Sequence, residues 1–371
     1  MGIPLALAIG LLTPAAHSRL TLEVAPPNVQ LHAGIYELSP DWFVPKEQPA
    51  PSIMRRSKPR HVPAKLPQGS GDAFRWKARP SILTEVDRLL LLPESEIDIG
   101  RVALVLGKDA FPELDIELAS RALDGIADGI RAITPADATP DYRIRAMNTF
   151  LYKKLGVGYD TSDPNSKKRI NRYLHGILET KRGTCSNLAT FYIAIAQRLG
   201  YPVYAVAAPQ HVFARYVLPD DRYENIEPTG KGGYSSNQQY IDDIGISQAA
   251  IDNGVYMRTM THREYVAELV ADHAATYYAT AKKDYPLAAE IIGKALNNAP
   301  LSVGFRSNLS EILIHQSHHV EGTDFRMIFY MQGISFMMEA EDMGISPPLK
   351  EDYWKDPIKG PQYRFLTRPS L

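Results

Sequence analysis

The chain has 371 residues, enough for two or three domains with a well-buried core. Its 44% hydrophobic and 22% charged content is ordinary for a globular protein, and a net charge of -1 gives no global attraction to nucleic acid or to a membrane. A single cysteine excludes an internal disulfide and any cysteine-based zinc centre.

The N-terminal run MGIPLALAIGLLTPAAHS is apolar, too short to span a bilayer comfortably, and ends in small residues. Ala16 and Ser18 fit the last positions before a signal-peptidase cut, so residues 1–18 are expected to be a cleaved signal with Arg19 as the mature start. No Lys or Arg precedes Arg19, which departs from the usual basic start of such a signal. A periplasmic or secreted location is the expectation, with a cytoplasmic one as the alternative. Residues 19–80 read as a Pro-rich basic linker, poorly ordered: Lys46 to Arg79 carries nine Lys or Arg against Glu47 and Asp72, with too little apolar surface to fold alone. That charge suits a weak envelope or membrane-surface contact, while Phe74 and Trp76 are docking points onto the helices that follow.

Residues 81–180 are expected to be helical and to wall a cleft. Ile99, Val102, Ala103 and Leu106 make one apolar stripe ahead of Gly107; Ala119, Ala122, Ile126, Ile130 and Ile133 make a second. Thr139 is an N-cap with Pro140 at the first helical position, opening a helix through Leu155. Leu174, Ile177 and Leu178 form a third face leading to Lys181-Arg182-Gly183.

The chemistry lies in residues 181–261. From Cys185, the residues Leu188, Phe191, Ile195 and Leu199 recur at helical spacing, Gly200 ends the helix and Pro202 blocks its continuation. A thiol at a helix start feels the positive end of the macrodipole, which favours thiolate. The apolar run Val203 to Ala208 reads as a buried strand. Pro209 and Gln210 interrupt it, and HVFARYV then places His211, Phe213, Arg215 and Val217 on one face. In YENIE, Tyr223, Asn225 and Glu227 point together and Glu224 points away. Glu227 or Asn225 can therefore orient His211, and Glu224 cannot unless the register slips. Cysteine, histidine and carboxylate in that order form an arrangement that activates sulfur. An oxyanion formed by acyl attack needs donors. The backbone N–H of Cys185 is the first, and Gln210, Asn187 and Thr184 are candidates for a second, each with an alternative reading as a cap or turn residue. Singly, a lone cysteine is usually a small buried hydrophobe, a histidine a bonded core residue and a glutamate a solvated strand end. The constellation carries the claim.

Residues 262–342 show helical periodicity again. Tyr285, Ala288, Ala295 and Pro300 match the spacing of one tetratricopeptide unit, and Leu309 with Leu313 begins a second, so these helices are read as a tetratricopeptide-like cap offering a surface for a partner protein. His315, His318 and His319, with Glu311 one turn earlier, have metal-ligand spacing but no partner cluster, and read as a polar helix end. Thr229 to Tyr234, TGKGGY, has phosphate-loop glycines without the framing of one, and reads as a flexible lip beside the cleft. Residues 343–371 are expected to be an irregular tail. No metal and no cofactor is called for.

The stretches RGTCSNLATFYIAIAQRLGYPVYAV, QHVFARY and IEPTG resemble the transglutaminase-like superfamily, and the flanks from about residue 84 to 320 are similar to a bacterial subgroup with a helical N-terminal part and a tetratricopeptide-like tail. The resemblance implies a papain-related α+β fold: a helical preamble, a core in which the Cys-bearing helix packs on a small antiparallel sheet, and a helical C-terminal tail. It implies a thiol-dependent acyl hydrolase or transferase acting on a peptide or protein substrate through Cys185, His211 and Glu227, with hydrolysis and transfer both open. Two departures bear on this. The superfamily usually has Asp where this chain has Glu227, and subgroup members often lack the cysteine, so a catalytically silent binding scaffold is the alternative.

Overall fold

The computed structural model describes residues 81–344, apart from residues 164, 165, 221 and 321, and the backbone of a two-residue antiparallel ladder between β1 (Leu31–His32) and β2 (Ile35–Tyr36). The expected signal segment, the basic linker with Phe74 and Trp76, and the tail from residue 345 lie outside the described residues.

Helices α1 (Ser81–Leu90), α2 (Ile99–Ala110) and α3 (Ile116–Arg131) open the described fold. Asp98 and Asp115 cap the second and third by accepting from Arg101 N and Leu118 N. Helix α2 runs past Gly107, a packing glycine, to Ala110: an added Cβ at Gly107 would lie 3.1 Å from His175 Nδ1. One detail differs from the sequence reading. In α3 the buried stripe is Ala119, Leu123, Ala127 and Ile130, and Ala122 is exposed, so the helix is rotated by about one position from the stripe drawn through Ala122 and Ile126. Thr139 accepts from Tyr142 N to cap α4 (Pro140–Asn148), which continues as π-helical turns over Thr149–Lys154.

Next come β3 (Gly158–Tyr159), a short 3₁₀ turn (Arg169–Arg172), α5 (Leu174–Thr180) and β4 (Arg182–Gly183), which pairs in parallel with β3. Helix α6 (Cys185–Arg198) is the centre of the molecule: Leu188, Phe191 and Ile195 are buried as expected, but so are Ala189, Tyr192 and Ala196 on its other faces. A helix apolar all round must be enclosed on all sides. It packs on α2, α3 and α5 and on the sheet.

That sheet is antiparallel in the order β5 (Val203–Ala208), β6 (His211–Val217), β7 (Tyr223–Glu227), β8 (Gly233–Tyr234). Val203, Ala205, Ala214, Tyr216 and Ile226 join the large core shared with α6. Val206, Ala208 and Phe213 join a second core with Tyr240 and Ile244 of α7 (Asn237–Ile244). Both faces are covered, which explains strands without an exposed polar side. After α8 (Gln248–Asp252), the chain runs along the free edge of β5, where Met257 N and Met260 N bond Ala207 O and Ala205 O. The C-terminal region is helical: α9 (His262–His273), continued by π-helical turns over Ala274–Lys282, then α10 (Tyr285–Asn298), α11 (Val303–Ser317) and α12 (Thr323–Asp342), each packed on the next. Among the described residues no helix is long and apolar enough to cross a membrane.

Candidate active site

The start of α6 is held from three directions. Asn187 Oδ1 accepts from Thr184 N at 2.8 Å, Asn187 Nδ2 donates to Tyr173 O at 3.2 Å, and Thr184 Oγ1 donates to Asn171 O at 3.1 Å. Gly183 permits this, since a Cβ there would lie 2.4 Å from Asn187 Oδ1. Thr184 and Asn187 thus cap the helix and tie it to the 169–173 segment. Cys185 is the first helical residue and only 4% exposed. N–H groups of a first helical turn have no partner within the helix, so the sulfur sits beside backbone donors.

His211 begins β6 at a two-residue turn. Ala208 pairs with His211 across it, Pro209 occupies the first turn position, and Gln210 takes the left-handed conformation at φ 56° required at the second. Gln210 is the turn residue that aims His211.

Glu227 ends β7. The ladder pairs Ala214 with Ile226, which by extension sets Glu227 level with Phe213, two residues from His211 along β6. Such a diagonal is within reach of a long side chain. The extra methylene of Glu relative to Asp spans it: His211 Nε2 and Glu227 Oε2 are 2.7 Å apart, with both side chains fully buried. The carboxylate takes three further bonds, from Tyr240 OH to Oε2 at 2.9 Å, and from Thr229 N and Thr229 Oγ1 to Oε1 at 2.9 and 2.5 Å. Burial alone pushes Glu227 upward, but His211 and Thr229 outweigh it and hold the carboxyl below its ordinary value. For His211, burial works downward, and the Glu227 charge, with the Cys185 thiol adding to it, raises the ring to about 10. Nδ1 of the ring is buried and has no regular hydrogen bond among the described residues. With Nε2–H engaged by Glu227, Nδ1 is the nitrogen left for the thiol.

Asn225 does not touch the imidazole. It accepts from Arg215 Nε at 2.8 Å and donates to Ser235 O at 3.0 Å and Asn237 Oδ1 at 2.8 Å. Glu224 is buried on the other side of β7 with Oε2 unpartnered, and burial raises its pKa to about 7. The structure therefore brings Cys185, His211 and Glu227 together, and leaves Asn225, Gln210, Asn187 and Thr184 in the supporting framework.

Sequence reasoning missed Thr229, although it lies in the IEPTG stretch two residues after the glutamate, and Tyr240, for which no local signal exists. It also missed Tyr159 and Tyr265. Burial raises the pKa of both, and each lies near enough to Cys185 for the sulfur's charge to raise it further. The TGKGGY bend is anchored: Asn148 Nδ2 donates to Gly232 O at 2.6 Å, and Gly232, at φ 74°, leaves no room for a Cβ beside Asn148. Among the described residues no group of three His, Cys, Asp or Glu is placed to hold a metal ion.

The profile of the Transglutaminase-like superfamily matches residues 117–270, which run from the start of α3 through the sheet to α9 and include every residue of this site. Residues 117–270 are a transglutaminase-like superfamily domain. Two curated relatives, both described as UPF0162 protein, come from Xylella fastidiosa. The one from strain Temecula1 is 25% identical over 134 residues, 36% of this chain and 47% of the relative. The one from strain 9a5c is 26% identical over 132 residues, 36% of this chain and 46% of the relative. The chain thus spans about half the length of the curated relatives it matches. Among solved structures, a crystal structure of menin, described as revealing the binding site for Mixed Lineage Leukemia (MLL) protein, overlaps at a TM-score of 0.39 and 17% identity, covering 70% of this chain and 69% of menin. The transglutaminase-like domain has the α+β layout expected of it, with a helix starting at cysteine packed on a small antiparallel sheet and helical regions on either side.

Proposed function

We propose that this chain is a thiol-dependent acyl hydrolase or acyl transferase acting on amides of peptide type, with Cys185 as nucleophile, His211 as base and acid, and Glu227 as the group that fixes the imidazole. The observation that carries this reading is the fully buried 2.7 Å bond from His211 Nε2 to Glu227, which leaves Nδ1 for the sulfur. The proton shared between Cys185 and His211 rests on Nδ1, and that imidazolium is stabilised by the carboxylate. The thiolate attacks the acyl carbon, and the negative charge moves to the carbonyl oxygen, beside the backbone N–H of Cys185 at the positive end of α6. Collapse expels the amine, which takes the proton from His211 and leaves a thioester on Cys185. Water or a second amine then attacks the thioester, gives its proton to His211 and releases the sulfur, which restores the thiolate–imidazolium pair. No metal or cofactor takes part.

A second reading has its own support. Cys185 is almost covered, so a carbonyl reaches the sulfur only when neighbouring side chains move. In addition, α12 exposes Met327, Ile328, Met331 and Met338, an apolar face suited to a partner protein. On that reading the domain is a binding scaffold. Alkylation of the purified chain by iodoacetamide separates the two. The enzyme reading requires rapid labelling near pH 7 that Cys185→Ser abolishes and His211→Ala slows by about 10-fold or more. Slow labelling indifferent to His211 would leave the scaffold.

A further inference from the structure

Resting on the reading of Cys185, His211 and Glu227 as the working set, we infer that Tyr240 is a positioning residue: its hydroxyl, delivered by α7 onto the oxygen of Glu227 that His211 also holds, fixes that carboxylate and sets how firmly it grips the imidazole proton.

Tyr240 OH and His211 Nε2 meet the same oxygen, Glu227 Oε2, at 2.9 and 2.7 Å, while Thr229 occupies Oε1. Two donors on one oxygen compete for its electron density, so the strength of one bond alters the other. The ring is not free to drift. Tyr240 is fully buried and stacked on Phe213, with centroids 4.0 Å apart and planes 8° apart. The helix that carries it is pinned at its first residue: Asn237 Oδ1 accepts from Arg215 and from Asn225 at 3.0 and 2.8 Å, and Asn237 Nδ2 donates to Tyr223 OH at 2.8 Å. Arg215 is itself buried and donates to Met257 O at 3.1 Å. This network of otherwise costly buried polar groups has a purpose on this view: it registers α7 against β6 and β7 so that one hydroxyl arrives at Glu227. Asn225 serves the site through Tyr240 and not through the imidazole.

Tyr240→Phe keeps the stacked ring and removes only the donor. The readout is the pH profile of Cys185 alkylation by iodoacetamide in the full chain, whose acid limb reports proton uptake by the coupled Cys185, His211 and Glu227 set. Losing a donor that favours the ionised carboxylate moves that limb upward by about one pH unit. Site-specific replacement of Tyr240 by difluorotyrosine preserves the shape and offers a more acidic donor, so it moves the limb downward and keeps the test available if the phenylalanine variant folds poorly. A purely structural tyrosine would lower the melting temperature and leave both limbs where wild type has them, and that result overturns the inference. A profile that responds to His211→Ala but to neither change at Tyr240 overturns the inference alone. A wild-type profile indifferent to His211→Ala overturns the underlying reading and the inference with it.

Discussion

Two combinations of the same residue types, Glu227 with His211 fully buried and Glu311 with His315 partly buried, lie in different parts of the fold and are driven to opposite states. At the end of the sheet the carboxyl is held low and the imidazole is raised to about 10, so both are charged. On α11 burial raises Glu311 to about 8, while burial and the neighbouring His319 and His318 lower His315 to about 4, so both are neutral. Burial pushes in the same direction in both places. The difference is an opposite charge held within reach, together with the hydrogen bonds that fix it. Glu227 receives four bonds, one of them shared with the histidine, whereas both oxygens of Glu311 and the Nδ1 of His315 have no partner among the described residues. His315 is packed instead between the rings of Tyr285 and His319. Charge survives inside a protein when its partners are built in with it, as they are at the end of the sheet.

The largest effect is expected at Glu227. Glu227→Ala leaves the buried imidazole without its counter-charge and is expected to cost about 3–5 kcal/mol of stability in urea unfolding. Its pH dependence has a defined shape. The contribution of the lowered carboxyl is present above about pH 4.5 and is lost as pH falls through its folded value. The contribution of the raised histidine is complete below about pH 6.5 and is lost as pH rises toward 10. The gap between wild type and variant should therefore be widest between those two pH values and should shrink on either side. A gap independent of pH would mean that only packing was lost.

Glu311→Gln should behave in the opposite sense and more weakly. A carboxyl held above its ordinary value supports the fold fully below about pH 4.5, and that support is lost as pH rises toward 8. Removing the ionisable group is expected to stabilise the protein by about 1 kcal/mol above pH 8 and to change little near pH 4.5, as read from urea midpoints at the two pH values. Stabilisation that fails to grow with pH would show that Glu311 has a partner in solution.

The contrast also shows what a sequence can and cannot carry. The period of two along β6 and β7 aligned His211 with Asn225 and Glu227, because strand register leaves few alternatives once one face is buried. The choice between Asn225 and Glu227 depended on which side chain spans a diagonal, and Asn225 proved to be engaged by Arg215 and Asn237. Tyr240 was invisible because nothing local distinguishes NQQY from any polar helix start; its role comes from packing on Phe213. Glu311 and His315 look like a polar helix end in one dimension, and only the approach of Tyr285 from α10 shows that His315 is partly covered. The helical stripes were legible to within one position, as α3 shows by burying Leu123 in place of Ala122.

The proposed chemistry requires the buried imidazole of His211 to be charged at rest. Titration of His211 by NMR of the histidine-labelled chain, assigned through His211→Ala, tests this directly. The imidazolium should persist through neutral pH and lose its proton only toward about pH 10. A midpoint at the ordinary 6.5 or below would contradict the pairing with Glu227 and, with it, the activation of Cys185.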